Sequence, residues 1–339
     1  MVVLRAAILR SPVPLAPPSL MIGSSVFQER NHEQPMNYLI TGSLGHVSRP
    51  LAAKLVRTGH SVTVVTRRAE KRAAIEALGA KAAVGSLLDL EFLSSACHGV
   101  DALFTLVPPD MQTDNWKNYI AHVGDNYANA ITRAGVKYVV NLSSIGAHLR
   151  EGCGPAGALH YVEEALNSLS GVHVRHLRAG FFHTNFLRDI DTIRSMGIIA
   201  ANYGRDASIP LVHPDDVANM ASMELKDLQF TLKSIRYIDG ERLDTQSIAR
   251  TLGAAVMMPG LRWVDMADDE LYAGMLERGF PPEIADNTVE MGRCLRLGRM
   301  LEDYLQHPPA AHGKITLEAF GAEFAEEYAR RGEPLAEKH

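Results

Sequence analysis

Three short stretches of this 339-residue chain carry groups suited to chemistry. The first is "TGSLGHVS", with Gly42, Ser43, Leu44, Gly45, His46 and Val47. A glycine at 42 suits a tight turn, and one at 45 lets the backbone approach a ligand closely. Amides of such a turn, opening a helix, bind a diphosphate. The second is Thr66-Arg67-Arg68, with Lys71 a turn further on. Guanidinium groups match a phosphate bidentately. The third is "HYVEEAL", where His160 and Tyr161 are the candidates for moving a proton, with His148 nearby. A tyrosine acid gains from a lysine four residues on, because that spacing sets both on one helix face and the ammonium lowers the phenol pKa. None of the ten tyrosines has a lysine there, and Tyr161 is followed at that spacing by Ala165. No lysine at all occurs between Lys137 and Lys226. Each candidate also has a plainer role open to it: His160 capping its helix, Tyr161 packing on a sheet, one of the two arginines standing in water.

Such groups need a scaffold, and the pattern of apolar runs describes one. "NYLIT" reads as a strand, followed by a helix from about His46 to Thr58 and a second strand, "SVTVV". Strand-like "KAAVGS", "DALFTLV", "KYVVNLSS" and "VHVRHLRAG" then alternate with helix-like runs, one from about Asp114 to Ala134 and one around Leu159 to Ser168. Alternation at this spacing predicts βαβ units and an α/β Rossmann-type, doubly wound parallel sheet with helices on both faces. Ligands of such sheets sit at the C-terminal strand ends. These ends are Ser86 and Leu87, then Leu106, Val107 and Pro108, then Ser143, then Gly180 and Phe181. Together with residues 42–47, Arg67 and Arg68 they form the expected cofactor site. Beyond Phe181 the pattern loosens. "VHPDDVANMASMEL" reads as a loop and a helix capped by an aspartate, and "SIRYIDG" and "LRWVDMA" as short strands. "GFPPEIADNTVEMGRCLRLGRMLEDYL" reads as one long amphipathic segment. The expected organisation is a leader at 1–35, a dinucleotide-binding core at 36–180, and a smaller, mostly helical lobe at 181–339 with some segments returning to the core. The leader has Arg5 and Arg10, no acidic residue before Glu29, and prolines at 12, 14, 17 and 18, which forbid a membrane helix. It is expected to be poorly ordered, with Met36 an alternative start.

Composition narrows the partners. A net charge of −5 gives no reason to expect nucleic acid. Three scattered cysteines (Cys97, Cys153, Cys294) fit a reducing, cytoplasmic setting and argue against a disulfide framework or a zinc site. His173 and His176, three apart on a strand, point to opposite faces, so no metal is expected. Cys153 lies in the Gly-rich "EGCGPAGA", read as a loop. In "GFFHTNFL", Phe181, Phe182 and Asn185 are candidates for an aromatic pocket, and Phe186 for the core.

The motifs "TGSLGHVSRPLAAKL", "VTVVTRR", "VVNLSSIGAH", "HYVEEALNSLSGVHVRHLRAGFFHTNFL" and "PLVHPDDVANMA" resemble the NmrA-like family of atypical short-chain dehydrogenases over residues 36 to 330. The resemblance implies a Rossmann core, a small substrate lobe and NADP(H). Its members include NADPH-dependent quinone and azo-dye reductases and regulators that bind NADP without turnover. Ser48 stands where the glycine pattern has its third member. The helix matching "HYVEEAL" lacks the lysine that many reductase members have, and Arg178-Ala179-Gly180 replaces "RPG". Arg67 and Arg68, where an acidic residue would hold the ribose hydroxyl of NAD, favour NADP(H) over NAD(H). The expected function is an NADPH-dependent reductase of small conjugated acceptors, quinone- or azo-type, working as a monomer or homodimer with no membrane partner. The alternative is a non-enzymatic NADP(H)-binding redox sensor. An epimerase or dehydratase comes third, because those chemistries lean on the missing tyrosine–lysine pair.

Overall fold

The computed structural model describes residues 34–332. Residues 1–33 of the expected leader lie outside the described residues. The first half alternates β1 (Asn37–Ile40), α1 (Ser48–Arg57), β2 (Ser61–Thr66), α2 (Arg72–Glu76), β3 (Lys81–Val84), α3 (Leu90–Ala96), β4 (Ala102–Thr105), α4 (Trp116–Ala134), β5 (Tyr138–Ser144), α5 (Gly154–Asn167) and β6 (His173–Ala179). Then follow β7 (Phe181–Phe182), α6 (Ile190–Met196), β8 (Ile198–Ala201), β9 (Ser208–Val212), α7 (Pro214–Asp227), β10 (Lys233–Ile238), β11 (Glu241–Asp244), α8 (Thr245–Ala255) and β12 (Arg262–Asp265). The chain ends in α9 (Asp268–Glu277), α10 (Pro282–Arg296), α11 (Glu302–Gln306) and α12 (Leu317–Arg330).

Seven strands form one parallel sheet in the order β10-β6-β5-β4-β1-β2-β3. This is the doubly wound α/β architecture that the alternation predicts. Its strands read as continuous apolar runs because both faces are covered. Along β1, Tyr38 and Ile40 face a core shared with Leu51 and Leu55 of α1 and with Val217 and Ala221 of α7. Leu39, one residue out of step, faces the core shared with Val123 and Tyr127 of α4 and Val162 of α5. β10 joins the edge of this sheet from deep in the second half of the chain, with Lys233 to Ile238 in register with Val174 to Ala179.

The second half carries its own core, built on Phe186, Ile193, Ile209, Trp263, Phe320 and Phe324, with two small sheets, β11-β9-β7 and β12-β8. Three local readings are corrected here. α7 is capped by His213, whose ring nitrogen accepts from the amide of Asp215 at 3.1 Å, and not by an aspartate. "EGCGPAGA" is a loop only as far as Cys153, which is buried at the N-cap of α5, and the small residues from Gly154 on build the helix's first turns. The long C-terminal amphipathic run breaks at Gly298, whose φ of 75° ends α10 before a short turn and α11. No helix among the described residues is long and apolar enough to cross a membrane.

Candidate active site

At the C-terminal edge of the parallel sheet the backbone shapes a cleft. Gly42 follows β1 with φ +92°, and a Cβ there would lie 2.7 Å from Leu106, so only glycine fits the turn. An added Cβ at Gly45 would meet only the Gly42 carbonyl oxygen, at 3.1 Å, and otherwise face open space. α1 begins just beyond, with no side chain capping its N-terminus and no acidic residue in its first turn. Free amides at the positive end of a helix dipole are a ready anion site. Ser48, at the third position of the glycine pattern, is fully buried and donates to the Thr41 carbonyl at 2.7 Å. Its hydroxyl is thus satisfied within the helix–strand contact, which is why the departure from glycine is tolerated.

The loops around this turn are held from α4, on positions that share one helix face. Tyr119 donates to the Pro108 carbonyl at 3.1 Å, Asn126 to that of Leu87 at 3.0 Å, and Tyr127 to that of Leu106 at 2.6 Å. The Leu106 amide donates in turn to the Thr41 hydroxyl at 2.9 Å. Sequence reasoning assigned α4 no part in the site. The 7- and 8-residue spacing of polar residues on a buried helix face was the available signal.

Beside Gly42 lies a small hollow of about 140 Å³, lined by Ser43, Thr66, Arg67, Arg68, Ser86, Leu87 and Tyr119 among others. Arg67 and Arg68 are exposed and make only long ion pairs, each of 3.5 Å, with Asp110 and Glu70. On the other side, adjoining at Gly42 and Pro108, is a cavity of about 500 Å³. Gly45, His46, Val47, Leu106, Val107, Ser143, Gly180 and Phe181 line it. So do Phe182, Thr184, Asn185 and Arg188 beyond β7, Ile209 and Pro210 of β9, and Met291, Leu295, Met300 and Leu301 from α10 and the turn after it. Gly180 allows this closure, since a Cβ there would sit 2.6 Å from the Pro210 carbonyl. Of the expected cofactor residues, only Leu44 lines neither hollow, packing instead against the sheet core.

The two expected proton carriers lie elsewhere. His160 Nδ1 donates to the Ala147 carbonyl at 2.9 Å, and its other nitrogen is 3.4 Å from Glu164. Tyr161 lies under the Arg150 guanidinium, 5.6 Å from the ring centre, in a separate surface hollow with Lys117 and Glu290. Neither lines the 500 Å³ cavity, because α5 turns this face outward. His148, half-buried with both ring nitrogens out of contact with solvent, also stands outside it. Phe186 belongs to the core of the second half.

Of the hydroxyls that line the cavity, those of Ser143 and Ser144 are engaged. Ser143 donates to Glu163 at 2.6 Å, and Ser144 to the Ile145 carbonyl at 2.8 Å. Glu163 is buried and held by a fork from Arg178, at 3.0 and 2.7 Å; Arg178 also reaches Asp303 at 2.8 Å and Tyr237 at 3.0 Å. This buried charge cluster ties α5, β6, β10 and α11 together below the cavity, and each member has a partner. His176 is pushed down to about 4, chiefly by burial, and lies between Asn141 and Asn167 at 3.1 and 3.0 Å. The hydrogen bond with the Cys294 thiol, and burial after it, push the Cys153 thiol up, which disfavours the thiolate. No group of three His, Cys, Asp or Glu able to hold a metal occurs among the described residues.

Residues 42–172 match the family described as NAD(P)H-binding. Over 255 residues the chain is 24% identical to an NAD(P)H azoreductase of Xenophilus azovorans, covering 75% of this chain and 85% of the relative. Its fold matches an NADPH-dependent quinone oxidoreductase of Escherichia coli solved with NADPH (TM-score 0.71, 21% identity, 87% of this chain and 100% of that one). It also matches NmrA, a negative transcriptional regulator solved with NADP (TM-score 0.67, 15% identity, 88% and 98%). The fold is thus of the Rossmann type, and the match to the NAD(P)H-binding family lies in its first half, residues 42–172.

Proposed function

We propose that the protein is an NADPH-dependent reductase of small conjugated acceptors, of the quinone or azo type. One observation carries this reading. The cavity that continues the dinucleotide cleft is walled largely by aromatic and aliphatic side chains, its polar side chains being His46, Ser143, Ser144, Thr184, Asn185 and Arg188, with no tyrosine or lysine among its lining residues. The residues fit the cofactor. The amides of the turn Gly42 to Val47 that are not already bonded within it, with the uncapped start of α1, would hold a diphosphate, and Arg67 and Arg68 would pair with a 2′-phosphate. Ser86 and Leu87 border the adenine end. Bound there, a reduced nicotinamide supplies a hydride. The chain's own part is positioning: Val107, Pro108 and Phe181 confine two flat rings face to face and exclude water.

The reading asks for no tyrosine or lysine acid, since neither lines the cavity. Ser143 and Ser144 have committed their hydroxyl protons, so an acceptor must leave the step without an unassisted alkoxide. Quinones and azo groups meet that condition, because their reduced forms are stabilised electronically and take protons from water. General-acid help contributes typically ~10² to 10⁴-fold, so simple ketones fall behind by about that margin. A panel of quinones, azo dyes and ketones, followed through NADPH absorbance, tests this. Turnover of ketones as fast as quinones ends the reading. The second reading, an NADP(H)-responsive regulator, is favoured by the same missing proton donor and by the likeness to NmrA. It takes over if no acceptor oxidises NADPH while NADPH still binds.

A further inference from the structure

The cavity wall is apolar apart from a few groups, and one of them bears a permanent charge. Arg188 follows β7 on the short turn His183–Asp189. Its side chain is exposed and lines the cleft. Tyr203, itself buried, accepts from it at 3.4 Å, and the guanidinium lies 5.9 Å from the centre of the Phe181 ring. These contacts hold its stem and one edge. No carboxylate of the described residues pairs with it. Arg178, by contrast, has Glu163 and Asp303, and Arg296 has Asp268. The adjacent Asp189 carboxyl is a neighbouring countercharge but makes no ion pair with it, so the free edge of the guanidinium is open to an anion in the cleft.

We propose that Arg188 selects acceptors whose flat conjugated ring carries an anionic oxygen group, a carboxylate or a sulfonate. The ring lies against Phe181 and the apolar wall, and the anion takes the free edge of the guanidinium, a bidentate geometry that fixes the ring's rotation over the cofactor. Cationic acceptors are repelled by the same group. This rests on the reductase reading for turnover, but binding tests it independently.

The probes are 1,4-naphthoquinone and 1,4-naphthoquinone-2-sulfonate, with wild type, Arg188→Gln and Arg188→Lys. The ratio of kcat/KM for the sulfonate to that for the neutral quinone cancels between proteins any intrinsic difference in reactivity. In Arg188→Gln it should fall about tenfold or more, through KM for the sulfonate, as expected for a lost charge-assisted contact. Arg188→Lys should keep part of it, since it restores charge without the fork. Equilibrium binding of the sulfonate to the NADP-loaded protein should weaken by a similar factor in Arg188→Gln, and thermal melts check that each variant is folded. An unchanged ratio and unchanged binding overturn the proposal. So does a loss of NADPH affinity in Arg188→Gln with the ratio unmoved, because Arg188 would then serve a cofactor phosphate. If neither quinone is reduced by wild type, the reductase reading fails while the binding comparison still decides this one.

Discussion

The two ends of the cleft are built from different materials. At the proposed dinucleotide end the groups on offer are backbone amides of one tight turn, Gly42 to Val47, those of Ser43 and Gly45 being already bonded to Val65 and Gly42, and a helix start left uncapped. At the acceptor end they come from side chains delivered by segments far apart in sequence: Val107, Phe181, Arg188, Ile209, Leu295 and Met300. Backbone recognition needs particular residue types at fixed spacing, since only glycine takes the φ of +92° at 42. Side-chain recognition needs only shape and polarity at the end of the fold's path. The first leaves a motif, and the second leaves a composition that any core would share.

The largest predicted effect tests the backbone end. Gly45 lies outside the left-handed region and an added Cβ meets only the Gly42 carbonyl oxygen, at 3.1 Å, so Gly45→Val should fold with a modest fall in melting temperature as the turn gives slightly. Its side chain then occupies the space a diphosphate needs, and NADPH affinity should fall on the order of 100-fold. Fluorescence titration checks this; unchanged affinity would place the phosphates elsewhere. Next in size is replacing Arg67 and Arg68 together by alanine. Their ion pairs are long and exposed and contribute little to stability. NADPH binding should weaken by about 1.5 to 3 kcal/mol, roughly ten- to a hundredfold, and NADH binding should barely move. The gap should narrow in high salt. A wild-type protein that prefers NADH would refute the assignment without any mutant.

This difference explains what was legible in the sequence. The seven-stranded sheet was readable except for its edge strand β10, because runs such as "NYLI" and "VVNLSS" are buried on both faces and alternate with helices. The membership of β10 depends on long-range pairing with β6, which no local pattern records. At the site, the turn and the arginines were readable as types at a spacing. The supports of Leu106 and Leu87 from Tyr127 and Asn126 were not, because a polar residue on a buried helix face declares itself only once its carbonyl partner is in place. Placing proton transfer at His160 and Tyr161 followed a helix by spacing alone. The rotation of α5 sends His160 to the Ala147 carbonyl and Tyr161 to Arg150. Arg188 drew no notice, since a single arginine beyond a strand is an ordinary surface residue until a cavity is seen around it.

The acceptor end also carries a cost in stability. Burial pushes the Asp189 carboxyl up to about 6, against the opposing pull of Arg188 and Arg278. A carboxyl with a folded-state value above its unfolded one binds its proton more tightly when folded. Its contribution is therefore fully present below the unfolded value, near 4, and is lost as pH rises through 6. Asp189→Asn should abolish that loss. Urea melts should show wild type falling, relative to the variant, by on the order of 1 to 2 kcal/mol between pH 4 and pH 7, after allowance for partial solvent access. Parallel pH profiles for the two proteins would mean that the carboxyl is better solvated than its surroundings suggest.

The smallest predicted effect is the one that separates this protein from reductases with a tyrosine acid. Tyr161 contacts Arg150 through its ring and opens on a hollow with Lys117 and Glu290, outside the apolar cavity. Removing its hydroxyl leaves both the cleft and the cation–π contact in place. Tyr161→Phe should therefore change quinone turnover less than about twofold, far below the ~10² to 10⁴ expected of a general acid. His160→Ala removes a hydrogen bond from the α5 face to the Ala147 carbonyl. It should lower stability by about 1 kcal/mol and leave the ratio of quinone to ketone turnover unmoved. The decisive readout is the pH profile of kcat. With protons drawn from water it should show no ionisation that either substitution removes. If Tyr161→Phe instead abolished turnover while NADPH binding survived, the hydroxyl would have to reach the cavity by a movement of α5. The separation between a cleft that positions and a helix face that plays no part in the chemistry would then collapse.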